Sequence, residues 1–251
     1  MKKQIFVMFL LSLLTLTAHA DRTVRATDAG IRFTGRVERL ADGAVRYDWV
    51  GTYVQTACTG TSISVRMSEE GESYHQVFID GKLLGKLHFT GKEPHDVTLA
   101  KGLSKGQHVL RLQKVTEGEF GRTTLYSFTA TGTGTFKAVA PKGRLIEIIG
   151  DSYTCGYGAE GSETSHFEVK TENCDKAYAC LIARYFNADY VIAAHSGMGV
   201  VRNYAGKHRK TMSQRYPMLY DDHDSIAYDF TQYKPNLVII NLGTNDFSTE
   251  A

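Results

Sequence analysis

Leu145-Ile146-Glu147-Ile148-Ile149 runs directly into Gly150-Asp151-Ser152-Tyr153. A short run dominated by Ile and Leu that stops on a glycine reads as a strand covered on both faces. The small polar residues after it form a loop at the carboxyl end of that strand. Two further stretches repeat the pattern. Tyr190–Ala194 leads to Ser196-Gly197-Met198-Gly199, and Leu237–Leu242 leads to Gly243-Thr244-Asn245-Asp246. A helix is expected between the first two strands, over about 175–186, with Ala177, Cys180, Leu181 and Arg184/Tyr185 on its inner stripe. Helical crossovers make such a sheet parallel, so this half of the chain is α/β.

Upstream the rhythm is different. Ser62-Ile63-Ser64-Val65-Arg66-Met67-Ser68 alternates polar and apolar without a fault, which puts Ile63, Val65 and Met67 on one face of a strand. Gln76–Ile79 runs into Asp80-Gly81, a dipeptide suited to a type I′ hairpin turn. Val45–Val50, Asp96–Leu99, Val109–Val115 and Thr124–Thr129 are further strand candidates. Turns recur every 8 to 12 positions or so, the spacing of an antiparallel sandwich or jelly roll. Thr131-Gly132-Thr133-Gly134-Thr135 and Pro141-Lys142-Gly143 mark the edge between the halves. We therefore expect an all-β domain over 21–138 and an α/β domain over 139–251.

The first residues read as an address. Lys2 and Lys3 precede an apolar run from Ile5 to Leu16, followed by Ala18-His19-Ala20. This is a secretory signal peptide cleaved after Ala20, giving a secreted or periplasmic protein. The run is shorter than the roughly 20 apolar residues of a membrane span. Of 251 residues, 42% are hydrophobic and 22% charged, at mean hydropathy -0.25, which excludes a disordered chain and a polytopic membrane protein. Removing Lys2 and Lys3 leaves 29 − 2 = 27 basic residues against 27 acidic ones. Zero net charge without a basic run gives no electrostatic reason to bind nucleic acid. Cys58, Cys155, Cys174 and Cys180 remain; an oxidising compartment allows pairing, Cys155 with Cys174 being preferred, and free buried thiols are the alternative. Cys174 and Cys180, six apart on one helix, would face different ways. No cysteine or histidine cluster has zinc spacing, so no metal or cofactor is expected.

In open α/β sheets ligands bind beyond the carboxyl ends of the strands. The three loops converge there. Ser152 can present a nucleophilic hydroxyl, while the Ser152 and Gly197 N–H groups and the Asn245 amide can donate to one developing oxyanion. Gly-Asp-Ser alone is often just a turn; three such loops in order, each after its own strand, make a site.

Gly150-Asp151-Ser152, Gly197 and Gly243-Thr244-Asn245-Asp246 resemble the first three blocks of the SGNH (GDSL) hydrolases. The longer runs Gly150–Gly158, Ser196–Asn203 and Asn241–Ser248 resemble, more narrowly, carbohydrate esterase family 2. That resemblance implies a jelly-roll β-sandwich followed by a flavodoxin-like, three-layer SGNH domain. It implies removal of acetyl groups from xylan or a related plant polysaccharide. Ser152 would be the nucleophile, with Ser152, Gly197 and Asn245 as oxyanion donors.

The resemblance also implies a general-base histidine from a late block, and the chain stops at Ala251, five residues after Asp246. We expect a fragment without that base. The related strand order 2-1-3-4-5 would leave the Leu237 strand at an edge. His75, His88, His95 and His108 fall in the β half, and His166 and His208 in polar loops. His223 sits in what reads as a surface acidic loop, Asp221-Asp222-His223-Asp224, and His195 lies nearest the site. Tyr153, Tyr157, His195 and Trp49 are candidate substrate contacts. Asp151 and Asp246 are expected to hold local backbone. The competing reading is a carbohydrate-binding β-sandwich with an inert α/β half, using Trp49, Tyr47 and Tyr53 as an exposed face. Core packing of Trp49 weighs against it. An acetylated polysaccharide is the expected partner of a monomer, with no nucleic acid and no membrane.

Overall fold

The structure is a computed structural model and describes residues 20–132, 134–207, 210–222 and 226–248. Residues 1–19 of the expected signal peptide, His208, His223 and Ala251 lie outside these. Among the described residues no helix is long and apolar enough to cross a membrane.

The β half contains β1 (Arg22–Arg25), β2 (Arg32–Thr34), β3 (Glu38–Arg39), β4 (Val45–Tyr47), β5 (Tyr53–Thr59) and β6 (Ser62–Ile79). β7 (Lys82–Thr90), β8 (His95–Lys101), β9 (Gln107–Lys114), β10 (Gly121–Ala130) and β11 (Phe136–Lys137) complete it. They form one 11-stranded curled sheet. The 18-residue β6 makes the curl: its first part pairs with β8 and β10, its last part with β7 and β9, all antiparallel. Ile63, Val65 and Met67 point into the core, as their alternation requires. Asp80 and Gly81 both have positive φ, 52° and 77°, and turn the β6–β7 hairpin as their type I′ pattern predicts.

The α/β half has a small parallel sheet, β12 (Leu145–Gly150), β13 (Asp189–Ala194) and β14 (Leu237–Asn241), in the order β13-β12-β14. Among the described residues β14 pairs with β12 alone. The helices α1 (Ser152–Cys155), α2 (Tyr178–Tyr185) and α3 (Met212–Arg215) are short. The expected helix over 175–186 is broken at Ala177, whose extended backbone (φ −79°, ψ 161°) separates a 3-10 turn, Cys174–Lys176, from α2. Its inner face also differs from the expected stripe. Ala177 and Cys180 are buried as expected, together with Ala179 and Ala183, whereas Leu181 and Tyr185 are exposed.

The halves share a core. Val50, Tyr53 and Val115 pack with Ile146, Ile148, Cys155, Cys174, Cys180, Tyr190 and Ile192. Arg36 of the β half adds a polar anchor. Its guanidinium is fully buried, 3.4 Å from the Glu147 carboxylate on β12, and is ringed by Trp49, Tyr216, Tyr228 and Phe230 at 4.7–5.3 Å. Buried cations over aromatic faces gain about 2 kcal/mol. Trp49 is therefore interior, and it shares no face with Tyr47 and Tyr53: the three sit in three separate core clusters. The exposed sugar-binding face of the competing reading is not formed, and Trp49 packs in the core, as expected.

Candidate active site

β12 ends on Gly150, where a Cβ would lie 1.9 Å from Thr154 Oγ1, so a side chain is excluded. Asp151 caps α1: its Oδ1 accepts from Tyr153 N at 3.1 Å and its main-chain oxygen from Thr154 N and Cys155 N. Ser152 thus opens a one-turn helix at the carboxyl edge of the sheet. Gly197, at φ 75°, turns the loop after β13, and its carbonyl accepts from Tyr204 N at 2.8 Å. The Asn245 amide donates to Met198 O at 2.8 Å and to Asp151 Oδ2 at 3.3 Å. One side chain of the third loop therefore ties it to both others. Asp246 adds a clamp, accepting from Val200, Val201 and Arg202 N at 2.9, 2.7 and 3.0 Å. Its role is not local, as expected, but reaches across to another loop.

Tyr153 and Tyr157 are exposed beside this edge, and the Tyr157 ring stacks on Phe167 with centroids 3.6 Å apart. His195 is 2% exposed and Trp49 is 0% exposed, so neither can meet a substrate in this arrangement. Among the described residues no histidine hydrogen-bonds Ser152.

His195 belongs to a buried junction that the sequence reading missed. Its Nδ1 lies 2.8 Å from Asp221 Oδ1, and Nε2 lies 3.5 Å from Glu119. Asp221 is 1% exposed, not in a surface acidic loop. It also accepts from Gly118 N at 3.1 Å, while its own N–H donates to Asp48 at 2.8 Å. Glu117, on the loop between β9 and β10, accepts from both Ser196 N and Ser196 Oγ, immediately before Gly197. Glu117 and Glu119 of the β half thus hold the loop after β13, while Asp48 holds Asp221, the partner of His195. The only signal for Glu117 and Glu119 was a Thr-Glu-Gly-Glu hairpin loop, which is chemically silent without a partner, and Asp48 gave none.

Burial opposes charge on His195, but Asp221, Glu119 and Glu117 outweigh it and raise its pKa well above the ordinary value. Burial, then repulsion from Asp221, pushes Asp48 up to about 7. Burial, then Glu117, pushes Glu172 up to about 10. Lys114 lies fully buried among these acids, its own pKa lowered by burial. Glu117, His195 and Asp221 bring ligand atoms within 4.8 Å of one another, a spacing that can hold a cation. The imidazolium between the carboxylates, with Arg215 on Asp221, already supplies positive charge there.

The four cysteines are free and buried, so the expected Cys155–Cys174 bond is not formed. Burial, and then the nearby charges of Glu117, Glu172 and Asp221, push the Cys155 thiol well up.

With this geometry in place, likeness to known proteins identifies the chain's relatives. Residues 33–139 match the family described as Carbohydrate esterase 2 N-terminal, and residues 148–251 match the GDSL-like Lipase/Acylhydrolase family. A solved family two carbohydrate esterase from Clostridium thermocellum, in complex with cellohexaose, is 36% identical with a TM-score of 0.82, over 88% of this chain and 68% of that one. The chain belongs to carbohydrate esterase family 2. A second family two carbohydrate esterase structure, from Cellvibrio japonicus, has a TM-score of 0.84 at 26% identity, over 91% of this chain and 69% of that one. The Cellulase/esterase CelE of Acetivibrio thermocellus is 36% identical over 92% of this chain. An Acetylxylan esterase / glucomannan deacetylase of Cellvibrio japonicus is 34% identical over 81% of it. The chain spans only 28% and 56% of the lengths of these two relatives.

Proposed function

We propose that this family 2 chain is the hydrolase part of a secreted serine esterase that removes acetyl groups from xylan or a related hemicellulose. The observation that carries the reading is the Asn245 amide bridging the Asp151 and Met198 loops, which gathers Ser152, Gly197 and Asn245 at one sheet edge. In the proposed reaction the Ser152 oxygen attacks the acetyl carbonyl. The Ser152 N–H, the Gly197 N–H and the Asn245 amide, which releases its longer bond to Asp151 Oδ2 to do so, stabilise the tetrahedral oxyanion, the sugar hydroxyl departs, and water releases acetate from the acyl-enzyme. Tyr153 and Tyr157 flank the acyl sugar. No described histidine hydrogen-bonds Ser152. The β half is of jelly-roll type in this reading. Secretion follows the expected signal peptide ending at Ala20.

Acetate release from acetylated xylan and glucomannan tests the reading, with and without added imidazole to stand in for the base. Release that depends on Ser152 is expected. Equal rates in the Ser152→Ala variant would overturn it.

A further inference from the structure

The junction between α2 and the β half contains a thiol pair that the esterase reading does not use. Cys174 opens the 3-10 turn and Cys180 lies in α2, and the extended Ala177 between them turns both sulfurs toward one spot. The Gln113 amide nitrogen, from β9, lies 3.6 Å from Cys174 Sγ and 3.7 Å from Cys180 Sγ. The six-residue spacing therefore does not separate them, as it would on an unbroken helix. The two thiols also act on one another electrically, whereas the electrical neighbours of Cys155 are carboxylates. Cys58 is remote from all of them, bonded to His108 O at 3.6 Å.

The pair is chemically asymmetric. Burial disfavours a Cys180 thiolate, yet the Cys174 thiol, the Tyr190 hydroxyl and Arg111 favour it and lower its pKa. Burial and the neighbouring Cys180 push the Cys174 thiol up. A nucleophilic thiolate beside a thiol is the arrangement that disulfide exchange needs.

We propose that Cys174 and Cys180 are an oxidation site, closed to a disulfide by exchange with a low-molecular-weight or protein disulfide. The Cys180 thiolate attacks one sulfur of the donor and releases the donor's other sulfur as a thiolate. Cys174, on losing its proton, then attacks Cys180 Sγ and releases the second donor sulfur. The donor is reduced to two thiols, and the protein's two thiols become one S–S bond. Both side chains are fully buried, so exchange takes place before α2 docks or when it opens locally. The bond would brace the segment whose Asn173 N–H donates to Gly156 O, the residue that ends α1.

The test counts thiols and is independent of activity. The folded chain, and the chain refolded from denaturant, are equilibrated in buffers of increasing oxidised glutathione, then alkylated and digested with trypsin. The expected result is loss of two of the four thiols and a peptide of 171–176 joined to 177–184. Oxidation should raise Tm by about 5 °C, and Cys174→Ser should abolish the rise. Four free thiols persisting in both preparations would overturn the proposal. So would Cys155 in the cross-link, or a rise in Tm that survives Cys174→Ser.

Discussion

β13 and β14 flank β12 on opposite sides, and both are apolar runs in the sequence, yet they meet different fates. All six residues of β13 are buried. On β14, Leu237, Val238 and Ile240 are 47%, 45% and 66% exposed. The β half contributes to the cover of β13. Arg32 and Tyr53 grip Asp189 at the start of β13, at 3.1 and 2.7 Å. Asp48, Glu117 and Glu119 hold the residues around its other end. β14 has β12 as its one strand partner among the described residues. An apolar run thus announces a strand, while what covers the strand is decided by loops far away in sequence.

The largest expected effect comes from cutting the junction on the β13 side. Asp221→Ala takes from His195 its nearest acceptor, and breaking a buried ion pair by removing one partner costs about 3–5 kcal/mol. Urea unfolding should show it; a loss under about 1 kcal/mol would mean that the junction contributes little. Matched truncations then compare the strands themselves. Ile192→Ala, at 2% exposure, should cost about 2–5 kcal/mol, and Ile240→Ala, at 66%, no more than about 0.5. Similar costs at both positions would erase the contrast.

What was legible in the sequence follows the same division. Ile63, Val65 and Met67 alternate, and Asp80-Gly81 turns, because local backbone chemistry decides both. Ser152, Gly197 and Asn245 were readable because each follows a strand by a fixed few residues, and parallel topology brings strand ends together. Asp221 was misread because an acid beside acids looks solvated until Gly118, Asp48 and His195 arrive from elsewhere. Glu147 passed as part of an apolar run, since its partner Arg36 is 111 residues away. Trp49 failed as a sugar platform for the same reason: it lines the Arg36 cage.

The two sides should also answer oppositely to pH. Glu172 and Asp48 are raised to about 10 and about 7, and His195 is raised too. For each, the folded chain holds a proton that the unfolded chain gives up. Their stabilisation is full below the unfolded values, about 4 for the acids and about 6.5 for His195, and is lost as pH rises through the folded ones. The β13 side is therefore sensitive to alkali. Glu172→Gln keeps the shape without the proton, so stability should fall less steeply between about pH 5 and pH 9. An unchanged slope would remove Glu172 from the cause.

On the β14 side the sign reverses. Burial would raise Asp246, but the Val201, Val200 and Arg202 N–H groups outweigh it and lower its pKa. Its contribution is present above the unfolded value, about 3.9, and is lost as pH falls through the folded one. Asp246→Asn keeps the size of the side chain and removes the charge, at a cost of about 1 kcal/mol. That is about a fivefold change in a local opening equilibrium, and hydrogen exchange reads it directly. The amides of Val200, Val201 and Arg202 should exchange about fivefold faster in the variant. The Ser196 amide, on the same loop but held by Glu117 of the β half, should not change. If Ser196 loosens together with the other three, the loop moves as one piece. The β half then no longer holds its first residues separately from the clamp that β14 puts on its last.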